Sequence, residues 1–315
     1  MSYRNFNAIA ERARGLPDRR RCVVAGAEDE HVLEAVFEAR RAGIISAPVL
    51  TGGAERIAGT IRSLGEDPES CVIADVSGDK NPAQRAVELI AEGAGDFLVK
   101  GRLDTKDLLK PVVDRANNLH SADSPSGGLM SHLAFFQIPG VDRLVVLTDG
   151  GMVVYPDLNQ KKGLILNAVA TLQTMGWERP RVAVLCAIEK LNPKMRETVE
   201  AAELAAMNRR GEIGGCVVEG PISYDVAMSP EIAAIKGYES ENCGRFDVLV
   251  TPDLTTGNLL GKSLLVSAHA ELAGIVVGAR IPIVVTSRGS SAEEKFHSIA
   301  LCVVASAGQT PRGGA

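Results

Sequence analysis

Short apolar runs alternate with stretches whose apolar residues recur every three or four positions, almost from end to end of the chain. Arg21–Ala25 is one such run. Glu28–Ala42 after it carries Val32, Ala35, Val36 and Ala39 on one face, which is a helical period. Pro48–Thr51 reads as a strand and Glu55–Leu64 as a helix. Cys71–Asp75 and Asn81–Glu92 repeat the pair, with Pro82 in the first helical turn, where a missing N–H does no harm. Phe97–Lys100 and Thr105–Asn117 complete the series. This β-α order predicts a parallel sheet with helices on both faces.

Residues 121–128, Ser-Ala-Asp-Ser-Pro-Ser-Gly-Gly, form a loop cluster and read as a boundary. Beyond it, Ser131–Gln137 and Arg143–Thr148 read as adjacent strands of a hairpin around Pro139-Gly140. Helix and strand patterns then follow at Gln160–Met175, Val182–Ile188, Pro193–Met207, Gly215–Glu219, Pro230–Lys236 and Phe246–Thr251. The closing elements read as a helix at Asn258–Glu271, strands at Ile275–Val277 and Ile281–Thr286, and a helix at Ala292–Ser306. The tail after Ala307 reads as frayed.

The chain has 315 residues, long enough for two domains, and is 45% hydrophobic but only 4% aromatic, so its core is built from Ala, Val, Leu and Ile. A net charge of −5, with no long basic run, argues against nucleic-acid binding. An anionic substrate then needs local positive charge. The six cysteines show no metal-ligand spacing, and Cys22, Cys186, Cys216 and Cys302 sit in apolar runs as small core residues. The histidines show no ligand spacing either, so no metal is expected. Met1–Arg21 lacks the apolar segment of a signal peptide, and no apolar stretch reaches membrane-spanning length. A cytoplasmic protein with no membrane partner is expected.

The richest chemistry lies at residues 283–296. The β-branched run Ile283–Thr286 leads into Ser287-Arg288-Gly289, and Ser290 or Ser291 with Glu293 and Glu294 reads as a helix start. A hydroxyl, a guanidinium and a carboxylate thus gather at the carboxyl end of a strand, where open α/β sheets bind ligands. An arginine fork with free backbone N–H groups suits a phosphate. Ser287 can donate to an oxyanion, Arg288 can hold phosphate, and Glu294 can act as a general base. The same letters also describe a capped helix in which Glu293 or Glu294 completes a capping box.

A second constellation runs from Thr251 to Lys262, with Asp253, Thr255 and Thr256 in a polar loop and a helix starting near Gly257-Asn258. Asn258 and Lys262 are four apart and so share a face. It resembles a phosphate-cradling turn without the glycine-lysine spacing of a P-loop; as pure pattern, an ordinary βα turn with an N-cap is the favoured explanation. Lys100 stands at a strand's carboxyl end, His132 follows Ser131 at a strand entry, and Asp149 precedes a glycine pair. Each has a plain structural alternative.

Taken together, these residues resemble a known family. Ser131–Gly140 (Ser-His-Leu-Ala-Phe-Phe-Gln-Ile-Pro-Gly), Leu147–Met152 and Tyr155–Lys162 are similar to segments of phosphate butyryltransferases and phosphate acetyltransferases. Asn192–Met195, Glu219–Ile222, Lys236-Gly237, Pro252-Asp253 with Gly257-Asn258 and Lys262, Ala273–Gly278, and Thr286–Arg288 with Ser298–Ala300 continue the series in order. The resemblance covers nearly the whole chain and is strongest from about residue 95 onward.

It implies a phosphate acyltransferase that moves a short acyl group reversibly between coenzyme A and phosphate. It also implies two α/β domains with mostly parallel sheets and an interdomain cleft, like isocitrate and isopropylmalate dehydrogenases. The first domain would be 1–130 plus 287–315 and the second 131–286. Ser287, Arg288 and Glu294 are the implied catalytic residues. Lys100, Ser131, His132, Asp149, Asp253, Gly257, Asn258, Lys262 and Gly289 are the implied substrate contacts. Coenzyme A is then a substrate, no cofactor is permanently bound, and a homodimer or larger homo-oligomer is expected. Four departures stand out: Glu294 where the acetyltransferase branch has aspartate, His31 where that branch has arginine, Val153–Pro156 (Val-Val-Tyr-Pro) where the butyryltransferase branch usually has asparagine ahead of Ile-Ala-Pro, and Gly261 in place of a tyrosine. Two other readings remain open: a hydroxy-acid dehydrogenase on the same fold, and a non-catalytic relative that binds acyl phosphate or coenzyme A.

Overall fold

The computed structural model describes residues 3–76, 81–122, 124–287 and 289–308. The first half runs α1 (Phe6–Arg14), β1 (Cys22–Ala25), α2 (Glu30–Arg41), β2 (Val49–Gly52), α3 (Ala54–Ser63), β3 (Val72–Asp75), α4 (Pro82–Ala91), β4 (Phe97–Lys100) and α5 (Thr105–Val113). The middle runs β5 (Ser131–Gln137), β6 (Leu144–Thr148), α6 (Leu158–Met175), β7 (Arg181–Leu185), α7 (Arg196–Arg209), β8 (Val217–Ile222), α8 (Tyr224–Met228), α9 (Pro230–Lys236), β9 (Val248–Val250) and α10 (Leu254–Ser267). The chain closes with β10 (Glu271–Val277), β11 (Ile283–Val284) and α11 (Ala292–Ala305).

Two compact units result. One comprises Phe6–Ala122 with Ala273–Ala315, the other Met1–Asn5 with Asp123–Leu272. The sequence expectation drew the division near 130 and 286. Here it falls at 122/123 and 272/273, so β11 and most of β10 join the unit built from the first half. Ile275 and Val276 of β10 pair with β11 there.

In that first unit β2, β1, β4 and β11 are parallel neighbours, with β3 outside β2. β1, β2 and β4 are buried at every position. Such unbroken apolar strands belong to parallel sheets covered on both faces. β3 is the edge, and its Val72 is 51% exposed. α11 is the central helix: its residues from His297 to Val304 are all buried, and it packs on α1, α2 and β11. A helix apolar on every side has to be an interior one.

The second unit begins with the expected hairpin. β5 and β6 are antiparallel, with Ala134 opposite Leu147, and Gly140 takes a positive φ of 83° in the turn. β6, β9, β7 and β8 follow as parallel neighbours. Phe136, Leu147, Ala183, Ile222, Phe246 and Leu249 form the core on one side of this sheet. The fold is α/β with mostly parallel pairing, as expected.

Several boundaries differ for local reasons. The helix expected at 258–271 is α10, starting at Leu254 because the Asp253 carboxylate caps it by accepting from the Thr256 N–H at 2.8 Å. It stops at Ser267, His269 adopts a positive φ of 53°, and Glu271 opens β10. Thr255, Thr256, Gly257 and Asn258 are therefore helical. Of the strand expected at 281–286, only Ile283 and Val284 join the ladder. α1 and α8 were not foreseen.

Candidate active site

The first unit holds a cavity of about 720 Å3. Its walls come from the segments that follow β1, β4 and β11, joined by residues of α3. β1 leads to β2 on one side, whereas β4 enters on the other side of β1, so the chain reverses its direction of winding between β1 and β4. Ligands of open α/β sheets bind at this point, beyond the carboxyl ends of the strands. The two loops are tied together there: the Gly101 N–H donates to the Ala25 carbonyl at 2.9 Å and the Arg102 N–H to the Gly26 carbonyl at 2.7 Å.

Lys100, the last residue of β4, lines this cavity and is only 6% exposed. Because β11 is parallel to β4, with Val284 level with Val99, the chain leaving β11 brings Thr286 and Ser287 to the same edge. Ser287 is exposed, and its carbonyl accepts from the Ser290 N–H at 3.1 Å, closing the turn. Gly289 lies in that turn, and its N–H donates to the Ser287 hydroxyl at 3.4 Å. Arg288 lies outside the described residues.

Glu294 is placed differently from the capping-box expectation. The α11 cap is Ser291, whose hydroxyl accepts from the Glu294 N–H at 3.1 Å. The Glu294 carboxylate instead accepts from the Ser290 hydroxyl at 2.6 Å. Burial pushes its pKa up, against the opposing pull of that hydrogen bond and of the Lys295 charge. Glu294 is not itself in the cavity wall; the next residue, Lys295, is. Lys295 is 4% exposed and donates to the Ser290 carbonyl.

The remaining cavity wall includes Glu28, Asp29 and His31. Glu28 accepts from the Gly53 N–H at 2.8 Å, and Asp29 caps α2 by accepting from the Val32 N–H at 2.9 Å. His31 is exposed and faces Glu34 at 3.7 Å. Among the described residues no group of three His, Cys, Asp or Glu side chains is placed to hold a metal ion.

The second unit gathers most of the other expected contacts. Asp149, 1% exposed, follows β6; its carboxylate accepts from the Gly151, Met152 and His132 N–H groups at 2.7, 2.8 and 3.1 Å. Burial lowers the His132 pKa, with Asp149 pulling the other way. Asn258 donates to the Gly150 carbonyl at 3.2 Å. Gly257 packs so tightly that a Cβ there would meet the Asp149 carbonyl oxygen at 2.6 Å. Two glycine motifs a hundred residues apart in sequence thus form one backbone-to-backbone contact. Lys262 is exposed on the same helix. Asp253 is the α10 cap, and Ser131 is fully buried, its hydroxyl accepting from Asn167 at 3.0 Å.

Sequence reasoning passed over Lys295. It shares a helical face with Ile299 and Cys302, both fully buried, so a cation in line with an apolar stripe was the available signal.

Residues 77–303 match the family model described as phosphate acetyl/butaryl transferase. The phosphate acetyltransferase of Thermotoga maritima is 40% identical over 296 residues, spanning 94% of this chain and 98% of that protein. The phosphate butyryltransferase of Clostridium acetobutylicum is 38% identical over 301 residues, spanning 96% and 98%. Among solved structures, a branched-chain phosphotransacylase from Enterococcus faecalis superposes with a TM-score of 0.78 at 30% identity, over 91% of this chain and 98% of that one. With its motifs in order and its relatives matched over nearly their full length, the chain belongs to the phosphate acetyl/butaryl transferase family.

Proposed function

We propose that the protein transfers a short acyl group reversibly between coenzyme A and phosphate. The observation that carries this reading is the cavity at the β1/β4 reversal, where the buried Lys100 ammonium and the Ser287 hydroxyl share one wall. A fixed cation and a hydroxyl donor meet the needs of a phosphoryl group beside a developing oxyanion.

In the direction of thioester synthesis, the thiol sulfur bonds to the acyl carbon, and the bond from that carbon to the bridging phosphate oxygen breaks. Phosphate leaves with the electron pair. A thiol of pKa about 8.5 is mostly protonated at neutral pH, so a base helps. Glu294 is the proposed base, because burial raises its affinity for a proton. Ser287 donates to the oxyanion, and Arg288 holds the phosphate. Lys100 and the Gly289 turn assist with the phosphate. Ser131, His132, Asp149, Asp253, Gly257, Asn258 and Lys262 are the proposed substrate contacts of the second unit, where Asp149 and Gly257 act by fixing the local backbone. Positioning and charge stabilisation supply the rate in this scheme, without a covalent enzyme intermediate. The reading includes coenzyme A as a free substrate, a homodimer or larger homo-oligomer, and a cytoplasmic location. Among the described residues, no helix is long and apolar enough to cross a membrane.

The test is a panel of acyl-coenzyme A esters incubated with phosphate while free thiol is measured. Phosphate-dependent thiol release from at least one short-chain ester is expected. Silence across the panel, or nicotinamide reduction with hydroxy-acids instead, overturns the proposal.

A further inference from the structure

An ammonium group buried without a counter-charge is unfavourable unless something else supplies the charge. Two lysines in this protein are each 4% exposed, Lys161 and Lys295. Lys161 follows the rule, with Glu200 at 2.6 Å. Lys295 departs from it: no carboxylate of the described residues lies within ion-pair distance of it, the charge of the neighbouring Glu294 acts on it only at longer range, and its hydrogen bond goes to the Ser290 carbonyl. Its neighbour Glu294 is held by the Ser290 hydroxyl.

Lys295 uses one ammonium N–H on the Ser290 carbonyl, which leaves the other two without a carboxylate partner among the described residues. Its helical face continues with Ile299 and Cys302, each fully buried. From that apolar packing it reaches the wall of the cavity that Lys100 and Ser287 share. The carboxylates of the same wall have other partners, Glu28 the Gly53 N–H and the Arg56 guanidinium and Asp29 the Val32 N–H. Glu30, the third acidic residue of the wall, is exposed.

We propose that Lys295 is a further phosphate-binding residue of this site, acting beside Lys100. One ammonium N–H fixes the Ser290 carbonyl, and so the turn that carries Ser287. The other two donate to oxygens of inorganic phosphate or of the phosphoryl group of an acyl phosphate. The proposal takes its ligand from the transferase reading, but its test does not need turnover.

Inorganic phosphate is titrated calorimetrically into the wild type, Lys295→Met and Lys295→Arg, and the KM values for phosphate and for an acyl-coenzyme A ester are measured beside it. Methionine keeps the length and the apolar stem but gives up the hydrogen bond to the Ser290 carbonyl, so the folded fraction of each variant is measured by circular dichroism before titration. Lys295→Met is expected to weaken phosphate binding about tenfold or more, the worth of charged hydrogen bonds, with the KM for the ester within about twofold. Lys295→Arg keeps the charge and retains most of the binding. Should Lys295→Met fail to fold, Lys295→Gln is titrated in its place. A folded Met or Gln variant that binds phosphate like the wild type overturns the proposal, as does a wild type that binds no phosphate. A wild type that binds phosphate through Lys295 yet transfers no acyl group overturns the transferase reading alone.

Discussion

The Ser290 hydroxyl donates to the Glu294 carboxylate at 2.6 Å, one residue away from the serine that caps the helix. Two neighbouring serines therefore divide two tasks. Ser291 satisfies the backbone of α11, and Ser290 holds a carboxylate in place. A capping box would require that carboxylate to fold back onto the Ser291 N–H, and it does not. The carboxylate is kept from its helix-terminal role and placed next to a buried lysine, with its proton affinity raised by burial.

Glu294→Gln separates base from scaffold. Glutamine still accepts from the Ser290 hydroxyl but takes up no proton. As the base, Glu294 contributes about a hundredfold in kcat or more, and the acid limb of the pH profile, set by its raised pKa, disappears in the variant. Steady-state rates between pH 5 and 9 measure both. A loss below about threefold would remove Glu294 from the chemistry.

The same substitution has a stability signature. Folding raises the pKa of Glu294, so the folded state favours its protonated form. That contribution is fully present below the unfolded carboxyl pKa of about 4.3 and is lost as pH rises through the folded value. Above the folded value the wild type carries a buried charge that Glu294→Gln removes. The variant is expected to melt at or above the wild-type temperature at pH 7.5, with the difference closing near pH 4. A clear drop in melting temperature at pH 7.5 contradicts this.

Arg288→Ala removes the guanidinium proposed to hold the phosphate. A bidentate charged pair carries two strong hydrogen bonds, so kcat/KM should fall about a hundredfold or more. The melting temperature should stay close to that of the wild type. Near-normal turnover would show that the motif is not the phosphate clamp.

Periodicity made most of the fold legible, because strands such as β4 and β5 are bounded by clear breaks. It failed where a side chain overrules a pattern. The apolar run inside α10 suggested a later helix, but the Asp253 cap starts it at Leu254. α1 carries Phe6, Ile9, Ala10 and Ala13 on one buried face, yet its arginines and glutamate make it read as polar. Strand ends led to Lys100 and Ser287, which the structure brings to one cavity, because a parallel sheet brings its carboxyl ends to one edge. Lys295 was passed over for the opposite reason. Its burial depends on which face of α11 is covered, and that is decided by α1 and α2, far away in sequence.

Asp149 tests how the second unit holds its glycine motif. Its two oxygens receive three backbone donors, two on Oδ1 and one on Oδ2. Asp149→Asn can keep the pair from Gly151 and Met152 but turns an amide N–H toward the His132 N–H. A loss of about 1 kcal/mol is expected, while Asp149→Ala, which releases all three, should cost about 2–3 kcal/mol. Urea denaturation monitored by circular dichroism gives both values. Equal losses in the two variants would mean that the hydrogen bonds are not what Asp149 contributes.

Gly101 follows Lys100 and seals the β1/β4 reversal. A Cβ at this position would lie 2.0 Å from the Gly26 carbonyl oxygen and 2.7 Å from that of Ala25. Both obstacles are backbone, so no side-chain rotation relieves them. Gly101→Ala must push the two loops apart and break the bonds from the Gly101 and Arg102 N–H groups to Ala25 and Gly26. Overpacking of this kind costs about 3 kcal/mol. Because the same loops form the cavity wall, acyl transfer should fall further than the folded fraction does. Gly59→Ala is the control: a Cβ there meets nothing within 4 Å, and Gly59 is not in the cavity wall. Thermal melts and specific activity corrected for folded protein compare the two. If both variants behave alike, the close approach at Gly101 is not what holds the site together.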